Sequence, residues 1–121
     1  MKLLRLIPLV VVLFLPAVGA AGQADVLDAE ADGGDGTWRF TVTVRHADEG
    51  WDHYADQWQV LTPDGEVLGT RTLYHPHVDE QPFTRSLSDV AIPADVDRVV
   101  IRARDSVHGY SGVTFELTLP R

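Results

Sequence analysis

From Thr37 to His46 every second residue is apolar, and that alternation constrains the fold more than any other feature. Trp38, Phe40, Val42 and Val44 fall on one side of an extended chain, and Thr37, Arg39, Thr41, Thr43 and Arg45 on the other. Side chains reverse face at each residue of a strand, so this stretch must be a strand with one buried and one wet face. Weaker versions of the pattern predict strands over 25–31, 57–62, 66–73, 83–92, 98–104 and 113–119. Inward positions include Trp58, Val60, Val99, Ile101, Ala103, Val113, Phe115, Leu117 and Leu119. Irregular alternation in the fifth strand suggests a bulge. Turn chemistry separates the strands: Asp32-Gly33-Gly34-Asp35-Gly36 reads as a turn cluster unable to sit inside a strand, and Pro63-Asp64-Gly65 and Pro93-Ala94-Asp95 as tight corners. Seven short strands predict an all-β fold, a seven-stranded antiparallel sandwich of immunoglobulin or fibronectin-III type, with Trp58 as its buried tryptophan. A small β-barrel is the alternative.

The beginning of the chain reads differently. Lys2 and Arg5 precede an apolar run from Leu6 to Leu15, and small residues follow over Pro16–Ala21. This is the pattern of a secretory signal peptide over 1–21, with cleavage after Ala20, Ala21 or Ala24. A single domain is expected over 25–121. The apolar run is shorter than a membrane span of about 20 residues, so no stable anchor is expected after cleavage. With no cysteine anywhere in the 121 residues, attachment through a lipidated cysteine, disulfides and thiolate metal sites are excluded. The expected location is therefore exported, periplasmic or extracellular.

The net charge is -8, and the only lysine belongs to the leader. An acidic domain of this kind repels phosphate backbones, which argues against nucleic acid as a partner and favours cations.

Strand alternation has a consequence for the histidines. Alternate loops of an antiparallel fold lie at one end, so the loops after the second, fourth and sixth strands share it. They carry His46 and His53, then His75 and His77, then His108, which is all five histidines of the chain. His46 continues the inner face of the second strand and Asp105 that of the sixth, so the two are expected to meet at the rim, as a buried structural pair or as part of a site.

His75-Pro76-His77 is the focal motif. Proline biases the residue before it towards extended backbone, and residues two apart in extended chain share a side. His75 and His77 are thus expected to present two imidazoles to one ion, and replacing both is expected to abolish binding. His46, His53 and His108 supply further ligands, and Asp105, Asp79 and Glu80 serve as alternative ligands or as carboxylates that orient a ligating ring. Copper or zinc suits such donors, and with no methionine beyond Met1 the copper form expected is Cu(II). The rival reading is a non-catalytic module that holds an extracytoplasmic protein or glycan through the aromatics of the same loops, Trp51, Tyr54, Tyr74 and Tyr110. Calcium at Asp48, Glu49, Asp52 and Asp56 is a further option without the EF-hand spacing. A metalloenzyme is the third class. No catalytic residue is assigned: Ser106 and Ser111 lie near His108 without a nucleophile-elbow pattern, and an enzyme is the less favoured outcome.

Overall fold

A computed structural model of the chain describes residues 22–121. The expected leader over 1–21 lies outside the described residues. The fold is an all-β sandwich of seven strands: β1 (Asp25–Gly34), β2 (Thr37–Arg45), β3 (Ala55–Leu61), β4 (Val67–Thr72), β5 (Phe83–Ala91), β6 (Arg98–Asp105) and β7 (Phe115–Thr118). One sheet has the order β1-β2-β5 and the other β4-β3-β6-β7, with every pairing antiparallel. The two sheets stay separate, so the barrel alternative does not hold.

The alternation in β2 is realised in full. Phe40, Val42 and Val44 are completely buried, as are Trp58 and Val60 of β3 and Val99 and Ile101 of β6. These residues form one cluster between the sheets. Burying side chains of this size contributes about 1.5–3 kcal/mol each, so the facing stripes hold the sheets together without any disulfide.

Two expectations are corrected. The cluster Asp32–Gly36 does not lie wholly outside a strand: β1 runs to Gly34, which pairs with Thr37, and the turn is only Asp35-Gly36. Both turn residues have positive φ, 56° and 86°. A two-residue hairpin of that hand matches the twist of the strands, so the earlier glycines remain in the ladder. Val113 does not point inward. It is 51% exposed, and its carbonyl instead accepts a hydrogen bond from Val26 N–H at 2.9 Å. The irregularity of the fifth strand is a bulge: Phe40 pairs with Leu87 and Trp38 with Val90, and Asp89 takes a φ of 60°.

The connections position the site. The chain crosses from the first sheet to the second through 46–54 and back through 73–82, both at the end where β2 stops and β6 stops. The 106–114 loop closes β6 onto β7 at this same end. These loops cap the open end of the sandwich, and the five histidines lie in them.

Candidate metal centre

His46 is the first residue past β2 and holds the inner parity of that strand, so its ring points down onto the core; it is 1% exposed. Asp105 is the last residue of β6, on the inner side, and is fully buried. The two meet, His46 Nε2 against Asp105 Oδ2. The other nitrogen of His46, Nδ1, contacts Asp48 Oδ1. His46 is therefore held between two carboxylates that accept but do not donate when ionised.

Asp105 is itself built in. Its Oδ1 accepts from the backbone N–H of Val107 at 2.6 Å and of His108 at 2.7 Å. Its Oδ2 faces His46 and lies 2.6 Å from His53 Nε2. Burial alone would raise the pKa of this carboxyl. The His108 and Val107 amides and the His53 and His46 rings outweigh that and hold it far below the ordinary carboxylate range. Asp105 is consequently an anion in the rim of the core near neutral pH.

His53 comes from the far side of the same crossing loop. Partial burial works against its charged form, but the contact to Asp105, the Gly22 carbonyl and the charges of Asp105 and Glu49 together raise its pKa. His108 completes the arc, with its ring centroid 5.1 Å from that of His53 and its Nδ1 3.2 Å from Asp105 Oδ1. The carbonyl oxygen of Gly22 lies 2.8 Å from His46 Nε2, 3.1 Å from His53 Nε2 and 3.1 Å from His108 Nδ1.

Among the described residues, His46, His53 and Asp105 form a group whose ligand atoms all lie within 4.8 Å of one another. A tetrahedral ion with bonds near 2.0–2.1 Å has ligand–ligand edges of about 3.3 Å, so the metal-free contact of 2.6 Å between His53 Nε2 and Asp105 Oδ2 has to open by about 0.7 Å to admit one. Four ring nitrogens face acceptors, both of His46 and one each of His53 and His108, while three neutral imidazoles carry only three N–H groups between them. Either extra protons or a cation must supply the positive charge.

His75 and His77 are neighbours, with ring centroids 4.7 Å apart, but they stand beside this group rather than in it. His77 is turned inward and stacks on buried Phe83 at 4.2 Å. Its backbone N–H donates to Asp48 Oδ2 at 2.6 Å, while neither ring nitrogen has a hydrogen-bond partner and Nδ1 stands 3.9 Å from Asp48 Oδ2. Burial, then the Arg85 and His75 charges, lower its pKa against the opposing pull of Asp48 and Glu80. His75 is exposed. Glu80 pairs with Arg85 at 2.8 Å and Asp79 is exposed, so neither carboxylate turns towards the cluster.

The aromatics spread over the rim. Trp51 is 68% exposed and packs edge-on against Tyr54, and Tyr74 is 75% exposed. Tyr110 lies under the Arg102 guanidinium, 3.9 Å from its ring centre, and not over the histidines. The carboxylates considered for calcium diverge: Asp48 is buried against His46, Asp56 pairs with Arg104, and Asp52 is exposed.

Sequence reasoning misses three contributors. Asp48 groups with its acidic neighbours in the sequence, although its two-residue spacing from His46 puts it on the same inward side. Gln81 belongs to no motif. Its Oε1 accepts from His46 N–H and its Nε2 donates to the His77 carbonyl, both at 2.9 Å, which ties the two crossing loops together. Gly22 stands in the sequence only as leader boundary, and no pattern marks a backbone carbonyl as a site atom.

The fold and the cluster define a two-sheet β-sandwich with a histidine–carboxylate centre at its loop-covered end. No protein-family model matches the chain, and no solved structure matches it. The chain is similar to a Halomicrobium mukohataei protein named "Putative lipoprotein", 43% identical over 91 residues that make up 74% of this chain and 44% of that protein. The chain thus spans less than half the length of that relative.

Proposed function

We propose that the protein is an exported β-sandwich that binds one divalent transition metal ion, Cu(II) or Zn(II), through His46, His53 and Asp105, with His108 at the open side. The observation that carries this reading is the convergence of three donor atoms from the two ends of the first crossing loop and from β6 within 4.8 Å. Imidazole and carboxylate donors suit these two ions, and a carboxylate on the far nitrogen of a ligating histidine, as Asp48 is on His46, is the usual device that fixes the ring. Export is supported by the leader pattern and by the name of the relative. This chain itself has no cysteine to carry a lipid.

The test is calorimetric titration of EDTA-stripped protein with Zn(II) and Cu(II) near pH 7 and again at pH 5.5. One-site saturation that weakens in acid is expected, because protons compete for imidazole. Absence of saturable binding at micromolar protein would sink the assignment.

A second reading rests on the exposure of Trp51 at 68% and Tyr74 at 75% on the same end. Rings of this kind suit a protein or glycan partner. Partner capture that is indifferent to EDTA and lost in a Trp51→Ala, Tyr74→Ala variant would favour that module over the metal reading.

A further inference from the structure

The Gly22 carbonyl is the common neighbour of three ring nitrogens, and Gly22 is also the residue that cleavage after Ala21 would make the first of the mature chain. We propose that the processed amino terminus is part of the metal centre: the freed α-amino nitrogen of Gly22 and its carbonyl oxygen chelate the ion alongside His46, His53, His108 and Asp105. This deepens the metal-binding reading and rests on it.

The next residues of the chain fix the position of Gly22. Ala24 is completely buried, and Gly112 packs so closely that an added Cβ would sit 1.8 Å from the Ala24 carbonyl. Asp25 Oδ1 accepts from Val113 N–H at 2.7 Å, and Val26 N–H donates to the Val113 carbonyl at 2.9 Å. The start of β1 is thereby clamped between the sheets, and Gly22 is delivered onto the histidines two residues before Ala24. Only glycine fits there. In the unprocessed chain its φ is +96°, and with or without the leader a Cβ would lie 2.9 Å from His53 Cε1 and 3.2 Å from His108 Cε1.

In the precursor the Gly22 nitrogen belongs to a peptide bond, and its lone pair is delocalised into the carbonyl and is a poor metal donor. Cleavage converts it to an amine with an ordinary pKa of about 7.7–8.0, low enough for a metal to displace its proton near neutrality. Amine and carbonyl of one residue close a five-membered chelate ring. The resulting donor set is rich in nitrogen with oxygen completing it, which selects Cu(II) over zinc. The centre is then finished only by processing, so the unprocessed chain does not carry copper tightly before export.

The test compares three chains in Cu(II) competition titrations: one beginning at a free Gly22, the same chain acetylated at Gly22, and one retaining Ala21. Apo melting curves serve as the folding control. Losing an outer partner of a metal ligand already costs about 10–100-fold in affinity, so the two blocked chains are expected to bind at least about tenfold more weakly. The free chain alone is expected to show an additional nitrogen coupling in its Cu(II) electron paramagnetic resonance spectrum. Mass spectrometry of exported protein should give a chain starting at Gly22. Equal affinity and identical spectra in all three chains, or an exported chain starting elsewhere, would overturn the proposal and leave the histidine–carboxylate centre standing. No binding by any of them of Cu(II), or of Zn(II) titrated alongside it, would overturn that underlying reading instead.

Discussion

The Oδ2 atom of Asp105 lies 2.6 Å from Nε2 of His53, although 52 residues separate them in the chain. The contact exists because β3 and β6 are paired neighbours, with Ala55 opposite Asp105, and the first crossing loop ends where β6 ends. Sheet topology, not local sequence, makes this site.

Replacing His46 and His53 together with alanine should lower metal affinity by more than about 100-fold, since two direct ligands go where one outer partner is worth about 10–100-fold. The His75→Ala, His77→Ala variant should bind as the parent does. Titration of both variants with Zn(II) and Cu(II) checks the pair. The reverse pattern would move the centre to the His75-Pro76-His77 loop.

Asp48→Asn should weaken binding by about 10–100-fold without removing a ligand, because Asp48 orients the His46 ring through Nδ1. Asp48 also accepts from Ala55 N–H at 3.1 Å and His77 N–H at 2.6 Å. Asp48→Ala should therefore also cost apo stability, about 1–3 kcal/mol for buried donors left without an acceptor, read in urea unfolding.

His77→Phe should stabilise the metal-free domain by about 1 kcal/mol, because it removes two buried ring nitrogens without partners while keeping a flat ring on Phe83. It should also change the pH profile. The folded state holds His77 below its ordinary pKa of 6.5, so the unfolded chain binds the proton more readily. Stability from a neutral His77 is present above 6.5 and is lost as pH falls towards its folded value. Urea midpoints of the parent should fall between pH 7 and 5 by more than those of the variant, and parallel profiles would refute this.

Asp105→Asn addresses the acid limb. The folded state holds this carboxyl well below its ordinary 3.8, so its contribution is complete above that value and is lost as pH falls below it. The variant should be less stable at pH 6 and lose less on acidification from pH 4 to pH 2, as followed by far-ultraviolet circular dichroism.

The fold is legible in the sequence because its strongest signal is local. Trp38, Phe40, Val42 and Val44 declare a one-sided strand, and the corners at Pro63-Asp64-Gly65 and Pro93-Ala94-Asp95 mark reversals. Where burial is not decided locally the pattern misleads: Val113 has the parity of an inward residue, but the start of β1 occupies that ground. The gathering of histidines follows from alternation alone, and the meeting of His46 with Asp105 from parity. Which histidines share donors with a carboxylate is not legible. It depends on the His77 ring finding Phe83, and on Asp48 and Gln81 bridging the crossing loops, contacts that carry no spacing rule.

In an antibody domain, a different β-sandwich, a cystine joins two strands across the core between the sheets. Here the ends of β2 and β6 are joined at the rim by His46, just past β2, and Asp105. An ion held between them would be a clasp across the sandwich that needs no oxidant to form, and that acid or a chelator can undo. Such a clasp would make the resistance of this cysteine-free domain to being pulled open depend on the metal content of its surroundings, not on their redox state.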